Sequence, residues 1–321
     1  MRELAAMNHA PAADVPSGRG NAPPSVTVDG VWKRFGSVDV VRDLSFEIRP
    51  VELLGFLGPN GAGKTTTMRM ILDIIRPDRG TISVFGRRPS VAASPRIGYL
   101  PEERGLYRDI PVLDTLTYFG ALKGLSSQDA RRRAARLLEE VGLGPVMRRR
   151  ANELSRGMQQ KAQVVATVLH EPDLLILVEP FQGLDPVNAE LLRGVVLAQR
   201  ERGAAVVMST HRMEEAEALC DRILLIDNGR RLLYGRLTDV RAAFSDGAVI
   251  VQGTGLLELH GIASAAAMQR TDGTVRFVLR EGATARDLFR ELAARDVEVE
   301  RFEVAAPSLD EIFIKAVEGA R

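Results

Sequence analysis

Cysteine, histidine and aromatic residues are scarce in this 321-residue sequence, which has one Cys, four His and one Trp. The single thiol, Cys220, excludes an internal disulfide and a cysteine-rich metal site, and we expect it to be buried. No uninterrupted apolar run approaches the roughly 18 to 20 residues that cross a bilayer as a helix. Any membrane role is therefore expected to be peripheral, with a transport pore supplied by another chain.

An excess of charge of one sign is also missing. Lys and Arg number 43 and Asp and Glu number 42, so no global positive field points to nucleic acid, and none is expected as a partner. The first 24 residues are rich in Ala, Pro and Gly and lack the apolar core of a signal peptide. We expect residues 1–24 to form a disordered tail.

The remaining chain predicts one large α/β domain followed by a small one. Residues 25–48 alternate in short strand-like segments, which indicates an antiparallel strand group. Residues 174–178 and 205–208 are apolar runs, each followed by a polar loop and a helical segment, the pattern of a parallel sheet. Residues 101–170 are predicted to be mainly helical. Strand-like and capped helical segments in residues 238–321 indicate a separate α+β domain.

A glycine-rich motif follows the buried-strand pattern of residues 52–57 and precedes a helical pattern. It reads Gly58-Pro59-Asn60-Gly61-Ala62-Gly63-Lys64-Thr65, which matches the phosphate-binding P-loop. Glycines let backbone N–H groups turn inward around phosphate oxygens, Lys64 adds a cation near the β- and γ-phosphates, and Thr65 supplies a hydroxyl to Mg²⁺. A P-loop alone predicts nucleoside triphosphate binding and leaves kinases, GTPases and motors open.

Four further motifs follow the P-loop in order. They are Leu154-Ser155-Arg156-Gly157-Met158-Gln159-Gln160, Leu174-Leu175-Ile176-Leu177-Val178-Glu179-Pro180, Gly183-Leu184-Asp185-Pro186 and Ser209-Thr210-His211. Their order and spacing over residues 25–237 resemble an ABC ATPase, the ATP-binding subunit of an ABC transporter. The resemblance implies a P-loop NTPase core with an antiparallel strand group and a helical subdomain. It also implies a head-to-tail dimer, in which each ATP lies between the P-loop of one chain and the signature segment, residues 154–160, of the other.

The resemblance implies catalytic roles for three residues. Glu179 ends a buried strand and would act as general base, His211 would sense the γ-phosphate, and Lys64 would bind it. Mg²⁺ would be held by Thr65 and by Glu102, which stands where the family usually has a glutamine. The implied nucleotide-binding residues are Phe35, Gly58, Pro59, Asn60, Gly61, Ala62, Gly63, Lys64, Thr65, Thr66, Ser155, Gly157 and Asp185.

Four residues of that set lie far from the P-loop in the sequence. Phe35 matches the aromatic position that stacks on adenine. Ser155 and Gly157 would contact the γ-phosphate of the nucleotide bound to the partner chain. Asp185 matches the loop that communicates across the dimer.

Val178 departs from the family, because it occupies the place of the Walker B aspartate that holds Mg²⁺ or its bound water. An isopropyl group offers no oxygen to a cation that prefers hard ligands. Valine nevertheless extends the buried aliphatic strand, so the fold should be unaffected. We therefore expect the chain to bind ATP but to hydrolyse it slowly.

Three functions remain open. The first is an ATP-hydrolysing subunit that powers an exporter through a separate membrane permease, working as a homodimer or heterodimer attached to the cytoplasmic face of the membrane. Residues 101–107 and 308–313 look similar to those of bacterial sodium- or drug-exporter ATPases. The second is a catalytically impaired, ATP-gated subunit, which Val178 favours. The third is a soluble ABC regulator of ribosomes or nucleic acid, although such relatives usually carry two ATP-binding halves, and this chain has one set of motifs.

Overall fold

The computed structural model describes residues 22–103, 105–245, 247–271, 274–295 and 297–319. Residues 1–21 of the expected tail, and Arg104 within residues 101–107, lie outside these ranges. Within them the chain forms two compact units, the first ending at Leu237 and the second spanning Thr238–Glu318. Each unit has its own sheets and its own apolar core.

The first unit contains two sheets. Its strands are β1 (Val26–Phe35), β2 (Val38–Ile48), β3 (Leu53–Leu57), β4 (Arg79–Val84), β5 (Ile97–Leu100), β6 (Leu174–Val178), β7 (Ala205–Thr210), β8 (Arg222–Asp227) and β9 (Arg230–Arg236). Three of them form an antiparallel sheet in the order β2-β1-β4, and six form a sheet in the order β5-β6-β7-β3-β8-β9. The larger sheet is parallel except for the pairing of β8 with β9. The predicted antiparallel strand group and parallel sheet are thus confirmed.

Burial explains why the apolar runs of the sequence became central strands. Every residue of β3, β6 and β7 is buried, as expected for parallel strands that are covered on both faces. The two sheets share one core, in which the rings of Phe46 on β2 and Phe56 on β3 lie 5.5 Å apart. This contact fixes the antiparallel sheet against the strand that leads into the P-loop.

Helices flank these sheets. They are α1 (Lys64–Ile71), α2 (Val112–Leu122), α3 (Ser127–Glu140), α4 (Arg156–Val168), α5 (Pro186–Glu201) and α6 (Met213–Leu219), with short 3₁₀ turns at Val91–Arg96, Gly144–Val146 and Ala151–Glu153, while α7 (Leu237–Phe244) begins at the last residue of the first unit and belongs otherwise to the second. Three of them, α2, α3 and α4, pack on one another and form the predicted helical subdomain. Among the described residues, no helix combines the length and the apolar character that a membrane span requires.

The second unit is a small α+β domain, as the sequence predicted. Its strands are β10 (Ala248–Thr254), β11 (Ala265–Thr271), β12 (Thr274–Leu279) and β13 (Glu298–Val304), and its helices are α8 (Ala285–Ala293) and α9 (Leu309–Gly319), with a 3₁₀ turn at Leu256–Glu258. The strands form one antiparallel sheet in the order β11-β12-β10-β13. Thr284 caps α8 in a capping box with Asp287. Leu288 and Leu292 of α8 then pack into the core beside Phe277.

Candidate functional site

The loop between β3 and α1 has the backbone shape of a phosphate cradle. Gly58 and Gly63 have φ angles of 150° and 104°. A Cβ atom at Gly58 would lie 2.3 Å from the Ile226 carbonyl oxygen, and one at Gly63 would lie 2.7 Å from the Val40 carbonyl oxygen. Only glycine fits at these two positions, because the neighbouring backbone leaves no room for a side chain. The loop is therefore held close to β2 and β8, with the N-terminus of α1 at its end.

Lys64, the first residue of α1, folds back over this loop. Its side chain is buried, and its Nζ donates hydrogen bonds to the carbonyl oxygens of Gly58, at 2.7 Å, and Pro59, at 3.1 Å. Burial lowers the pKa of this amine, while the negative charges of Glu179 and Glu102 oppose the shift. The ammonium group thus lies among backbone oxygens that an anionic ligand can replace as its acceptors.

A cavity of about 270 Å³ opens beside the loop. It brings together nine of the residues predicted for the site, namely Asn60, Gly61, Gly63, Lys64, Thr65, Thr66, Glu102, Glu179 and His211. Val178 also lines it. Three further lining residues, Val40, Gln182 and Ser209, were not among the predicted site residues. The remaining loop residues Gly58, Pro59 and Ala62 belong to the cradle but do not line the cavity.

Glu179 is the first residue after β6, and its surroundings hold it in a fixed position. Its backbone has a φ of 47°, a left-handed conformation that is uncommon for a residue with a side chain. The side chain is buried and accepts hydrogen bonds from Thr210 Oγ1 at 3.1 Å and from the His211 backbone N–H at 3.1 Å. The Nδ1 atom of His211 lies 2.8 Å from Glu179 Oε1, and an ionised carboxylate can only accept, so Nδ1 carries the proton. The exposed imidazole keeps Nε2 free to act toward a ligand.

Val178 and Ser209 line the cavity side by side at the ends of β6 and β7. The two residues pair directly across the parallel strands. Val178 is 2% exposed, and the buried Ser209 hydroxyl has no hydrogen-bond partner among the described residues. A single sequence offers no sign of this unpartnered hydroxyl, because it depends on the register between two strands that lie far apart in the chain.

The oxygen donors around the cavity suit a hard cation that is shared with phosphates and water. Thr65 offers a hydroxyl and Glu102 a carboxylate, the ligand types that Mg²⁺ prefers. No group of three or more His, Cys, Asp or Glu side chains in the described part of the chain could enclose a metal ion by itself. The donor set therefore fits Mg²⁺ that is carried in with a nucleotide.

Ser155, Gly157 and Asp185 do not line this cavity. Ser155 is exposed at the N-terminus of α4, where its hydroxyl accepts from the Met158 backbone N–H at 3.3 Å. Asp185 is exposed at the N-terminus of α5, and the Asn188 backbone N–H that it accepts lowers the pKa of its carboxyl. The two helix starts are neighbours, because a Cβ atom at Gly157 would lie 3.4 Å from the Leu184 side chain. Together they form a surface that is free to meet another molecule.

Phe35 ends β1 and is also outside the cavity lining. Its ring is 49% exposed, and Lys33 Nζ lies 5.4 Å from the ring centroid. An exposed aromatic face of this kind is available for stacking.

A second concavity, of about 250 Å³, lies on the helical subdomain. We call it the apolar groove, and it is lined by Tyr99, Leu100, Pro101, Gly105, Leu106, Phe119, Leu122, Lys123, Gln163, Ala166, Thr167 and His170. Tyr107 and Tyr118, both about half exposed, contact Phe119 at its edge. Burial lowers the pKa of His170 to about 4, and the charge of Lys123 adds to this shift. Since Glu102 adjoins Pro101, one short segment contributes to both concavities.

Comparisons with known proteins agree with this geometry. Residues 41–182 match the family described as ABC transporter, and residues 235–317 match the family described as ATP-binding protein DrrA1-3-like, C-terminal domain. The chain is 37% identical over 293 residues to the uncharacterized ABC transporter ATP-binding protein YhaQ of Bacillus subtilis, covering 91% of this chain and 98% of the relative. It is 32% identical to the linearmycin resistance ATP-binding protein LnrL of Bacillus subtilis, covering 89% and 96%.

Further relatives match a shorter part of the chain. The Nod factor export ATP-binding protein I of Paraburkholderia xenovorans is 40% identical, over 66% of this chain and 70% of that protein. A solved structure described as the ATP binding subunit of an ABC transporter superposes with a TM-score of 0.64 at 33% identity, covering 68% of this chain and 92% of that one.

Proposed function

Because this chain belongs to the ATP-binding subunits of ABC transporters, we propose that it binds Mg²⁺-ATP in the cavity beside the P-loop and that ATP drives an exporter through a separate permease. The observation that carries this proposal is the convergence of Lys64, Glu179 and His211 on one cavity at the N-terminus of α1. A cation, a carboxylate and an imidazole that line one cavity match the needs of phosphoryl transfer to water.

Each of these side chains has a role in the proposed reaction. The Lys64 ammonium exchanges the carbonyl oxygens of its own loop for phosphate oxygens when ATP binds. Glu179, fixed by three hydrogen bonds, accepts the proton of the attacking water. His211 is oriented through Nδ1 and presents Nε2 to the γ-phosphate. Thr65 and Glu102 would hold Mg²⁺, which when bound neutralises charge on the β- and γ-phosphates.

Hydrolysis is proposed to be slow, because Val178 takes the place of a metal-supporting carboxylate. The valine side chain lines the cavity and brings no oxygen to it. Loss of a supporting ligand commonly costs about 10- to 100-fold in metal affinity or activity. The same observation favours the second candidate, an ATP-gated subunit that pairs with an active partner and responds to binding more than to turnover.

A second copy, or a related subunit, is proposed to complete each site. Ser155, Gly157 and Asp185 are accessible on one chain but do not line its own cavity. A head-to-tail dimer would bring the positive N-terminus of α4 from one chain to the γ-phosphate held by the other. Phe35 is proposed to stack on the adenine.

The membrane partner is proposed to bind at the apolar groove. Exposed apolar and aromatic side chains at its rim include Tyr107, Tyr118 and Leu122. A permease segment seated there would attach the protein peripherally to the cytoplasmic face of the membrane. Because Glu102 lies in the same segment as the groove, occupancy of the nucleotide cavity and of the groove can be coupled. The names of two relatives, the Nod factor export protein and the linearmycin resistance protein, favour export.

The proposed domain limits follow the two compact units. Residues 25–237 would form the ATP-binding domain, with the helical subdomain at about 101–170, and residues 238–321 would form the accessory domain. The match of residues 235–317 to a separate family supports this division.

ATP binding tests the proposal directly. We expect the purified chain to bind Mg²⁺-ATP in equilibrium titrations and Lys64→Ala to weaken binding at least about tenfold, since a charge-assisted hydrogen bond contributes about 1.5–3 kcal/mol. Lys315→Ala, which removes an exposed lysine of the second unit, is the matched control and should leave binding unchanged. Equal affinities for the wild type and Lys64→Ala would show that the cavity is not the ATP site.

A further inference from the structure

Glu215 is a second buried carboxyl group near the proposed general base, Glu179. Both carboxyl groups lie within hydrogen-bond distance of the Thr210 hydroxyl. Thr210 Oγ1 lies 3.1 Å from Glu179 Oε2 and 3.1 Å from Glu215 Oε2. The same oxygen accepts the Arg212 backbone N–H at 3.1 Å. Glu215 is 2% exposed and lies in the first turn of α6. None of the motifs in the sequence assigned it a role.

Proton counting restricts the charge of this group of three side chains. A threonine hydroxyl has one proton to donate, and an ionised carboxylate can only accept. If both glutamates were ionised, one carboxylate oxygen would face a lone pair of Thr210 at hydrogen-bond distance. One additional proton removes this conflict, because a protonated carboxyl donates to Thr210 Oγ1 and the Thr210 proton then points to the other glutamate.

The surroundings favour Glu215 over Glu179 as the carrier of that proton, although the ion pair between Arg212 and Glu215 opposes protonation. Glu179 already accepts from His211 at two contacts, whereas among the described residues Glu215 Oε2 has a hydrogen bond with Thr210 only and Oε1 accepts from Arg212 Nη1 at 2.5 Å. Burial raises the pKa of the Glu215 carboxyl, and the Glu179 charge adds to the rise, while Arg212 and Thr210 oppose it.

The charged and titratable groups that face Glu215 come from its own loop and from neighbouring elements. They are Arg212 before α6, Glu179 after β6, Arg193 on α5 and the buried thiol of Cys220. Arg212 is half exposed at its side chain, and Arg193 is already paired with Glu190.

We propose that Glu215 is a positioning residue for ATP hydrolysis: as a neutral carboxylic acid it donates to Thr210, which fixes the Thr210 proton on Glu179 and holds that carboxylate ready to accept the proton of water. The inference rests on the proposed function, because it assigns Glu179 as the base. When Glu215 loses its proton at higher pH, the Thr210 proton is shared between two carboxylates, and Glu179 loses a fixed donor.

Infrared spectroscopy of the full chain tests the proton without any turnover. At neutral pH exposed carboxyl groups are ionised, so the stretching region of carboxylic acids reports the protonated ones. We expect a carboxylic acid band in the wild type that is lost in Glu215→Gln and shifted in Thr210→Val, which removes its acceptor. Glu214→Gln, an exposed neighbour, is the matched control and should keep the band. Glu52 is also buried with a raised pKa, so the comparison uses the difference between the two spectra. Absence of a carboxylic acid band at neutral pH, or identical carboxylic acid regions in the wild type and Glu215→Gln, would overturn the proposal.

The pH dependence of turnover tests the positioning role. The measurement is best made with Val178→Asp present in every variant, so that slow hydrolysis does not hide the effect. Glu215→Gln has an amide that still donates to Thr210, and it should keep about tenfold more turnover than Glu215→Ala. The alkaline decline caused by ionisation of Glu215 should be absent in Glu215→Gln. Equal losses in both variants, with an unchanged pH profile, would mean that Glu215 only supports the fold.

The two proposals fail in different ways. If no variant binds ATP while the carboxylic acid band behaves as expected, the proposed function is wrong, but Glu215 still carries the proton that it donates to Thr210. If ATP is bound and hydrolysed but the band is absent, the proposed function stands and Glu215 is not the neutral partner.

Discussion

Val178 and Ser209 stand directly opposite each other in neighbouring parallel strands, and the buried Ser209 hydroxyl has no acceptor or donor among the described residues. Unpaired buried hydroxyls are uncommon, because each loses its hydrogen bonds to water without replacement. A carboxylate at position 178 would lie within the same register and could accept from this hydroxyl. The site thus has a polar partner in place for an aspartate that the chain does not have.

The first prediction concerns Val178→Asp. A carboxylate at the end of β6 supplies a further oxygen ligand that Val178 cannot offer, so Mg²⁺-dependent ATP turnover should rise about 10- to 100-fold. Steady-state phosphate release at saturating ATP would measure it, with ATP binding checked in both proteins. Val178→Asn, which has similar shape without the charge, should remain close to the wild type. Robust turnover by the wild type would show that other ligands hold the metal adequately.

A second prediction follows from the same pair. Ser209→Ala should leave the free energy of unfolding of the wild type nearly unchanged or slightly raised, because it removes a hydroxyl that has no partner. In the Val178→Asp background, the same change should cost about 1 kcal/mol, since it breaks a hydrogen bond. Denaturant unfolding of the four proteins gives this coupling. No difference between the two backgrounds would mean that the introduced carboxylate does not pair with Ser209.

A third prediction concerns assembly. Lys64→Ala disables the P-loop and Ser155→Arg blocks the signature segment, so each variant alone should be inactive. In a head-to-tail dimer, one chain of each kind places both defects in one site and leaves the other site intact. Equal mixing should therefore restore about a quarter of the sites, provided that subunits exchange freely. Turnover of the mixture measures this, in the Val178→Asp background.

The control for this experiment is a mixture in which each chain carries Lys64→Ala. Every dimer in it has two defective P-loops, so subunit exchange alone should restore nothing. A mixture of Lys64→Ala with Ser155→Arg that stays inactive although the subunits exchange would contradict the head-to-tail arrangement.

His170 gives a fourth prediction, about acid stability. Its folded-state pKa is lowered to about 4, chiefly by burial, below the unfolded value of about 6.5. As the pH falls below the pKa of the unfolded state, His170 becomes protonated in the unfolded chain but stays neutral in the folded protein. Stability is therefore lost with acidification, by at most about 2 kcal/mol between pH 7.5 and pH 5.

Urea unfolding of the wild type and His170→Gln at both pH values would measure this loss. The variant should show a smaller pH dependence, because glutamine does not titrate. His260→Gln, which replaces an exposed histidine, should behave like the wild type. Identical pH dependence in all three proteins would exclude His170 as the cause.

The sequence predicted the elements of the fold well, because each relies on a local pattern. The glycine motif located the P-loop, and the apolar runs of β6 and β7 predicted parallel strands. Glu179 and His211 were predicted for the site because each follows such a run, and both line the same cavity because parallel strands end at the same edge of a sheet.

Contacts between residues on different strands could not be predicted from the sequence. Ser209 and Gln182 reach the cavity through the register of β7 with β6 and through the turn after Glu179, which no local pattern encodes. The link from Glu179 through Thr210 to Glu215 also depends on three side chains meeting in space. In the same way, Ser155 and Asp185 were predicted as nucleotide contacts, yet one chain alone leaves them outside the cavity.

Cys220 was expected to be buried, and it is, behind the strand that leads into the P-loop. Its Sγ atom occupies the space beside Gly55, where an added Cβ would lie 2.7 Å away. Burial also raises the pKa of the thiol, so little of the reactive thiolate forms. The native chain should therefore react only slowly with maleimide reagents. One cysteine introduced on the surface would accept a fluorophore or spin label selectively, and distances between two copies could be followed without first replacing the native thiol.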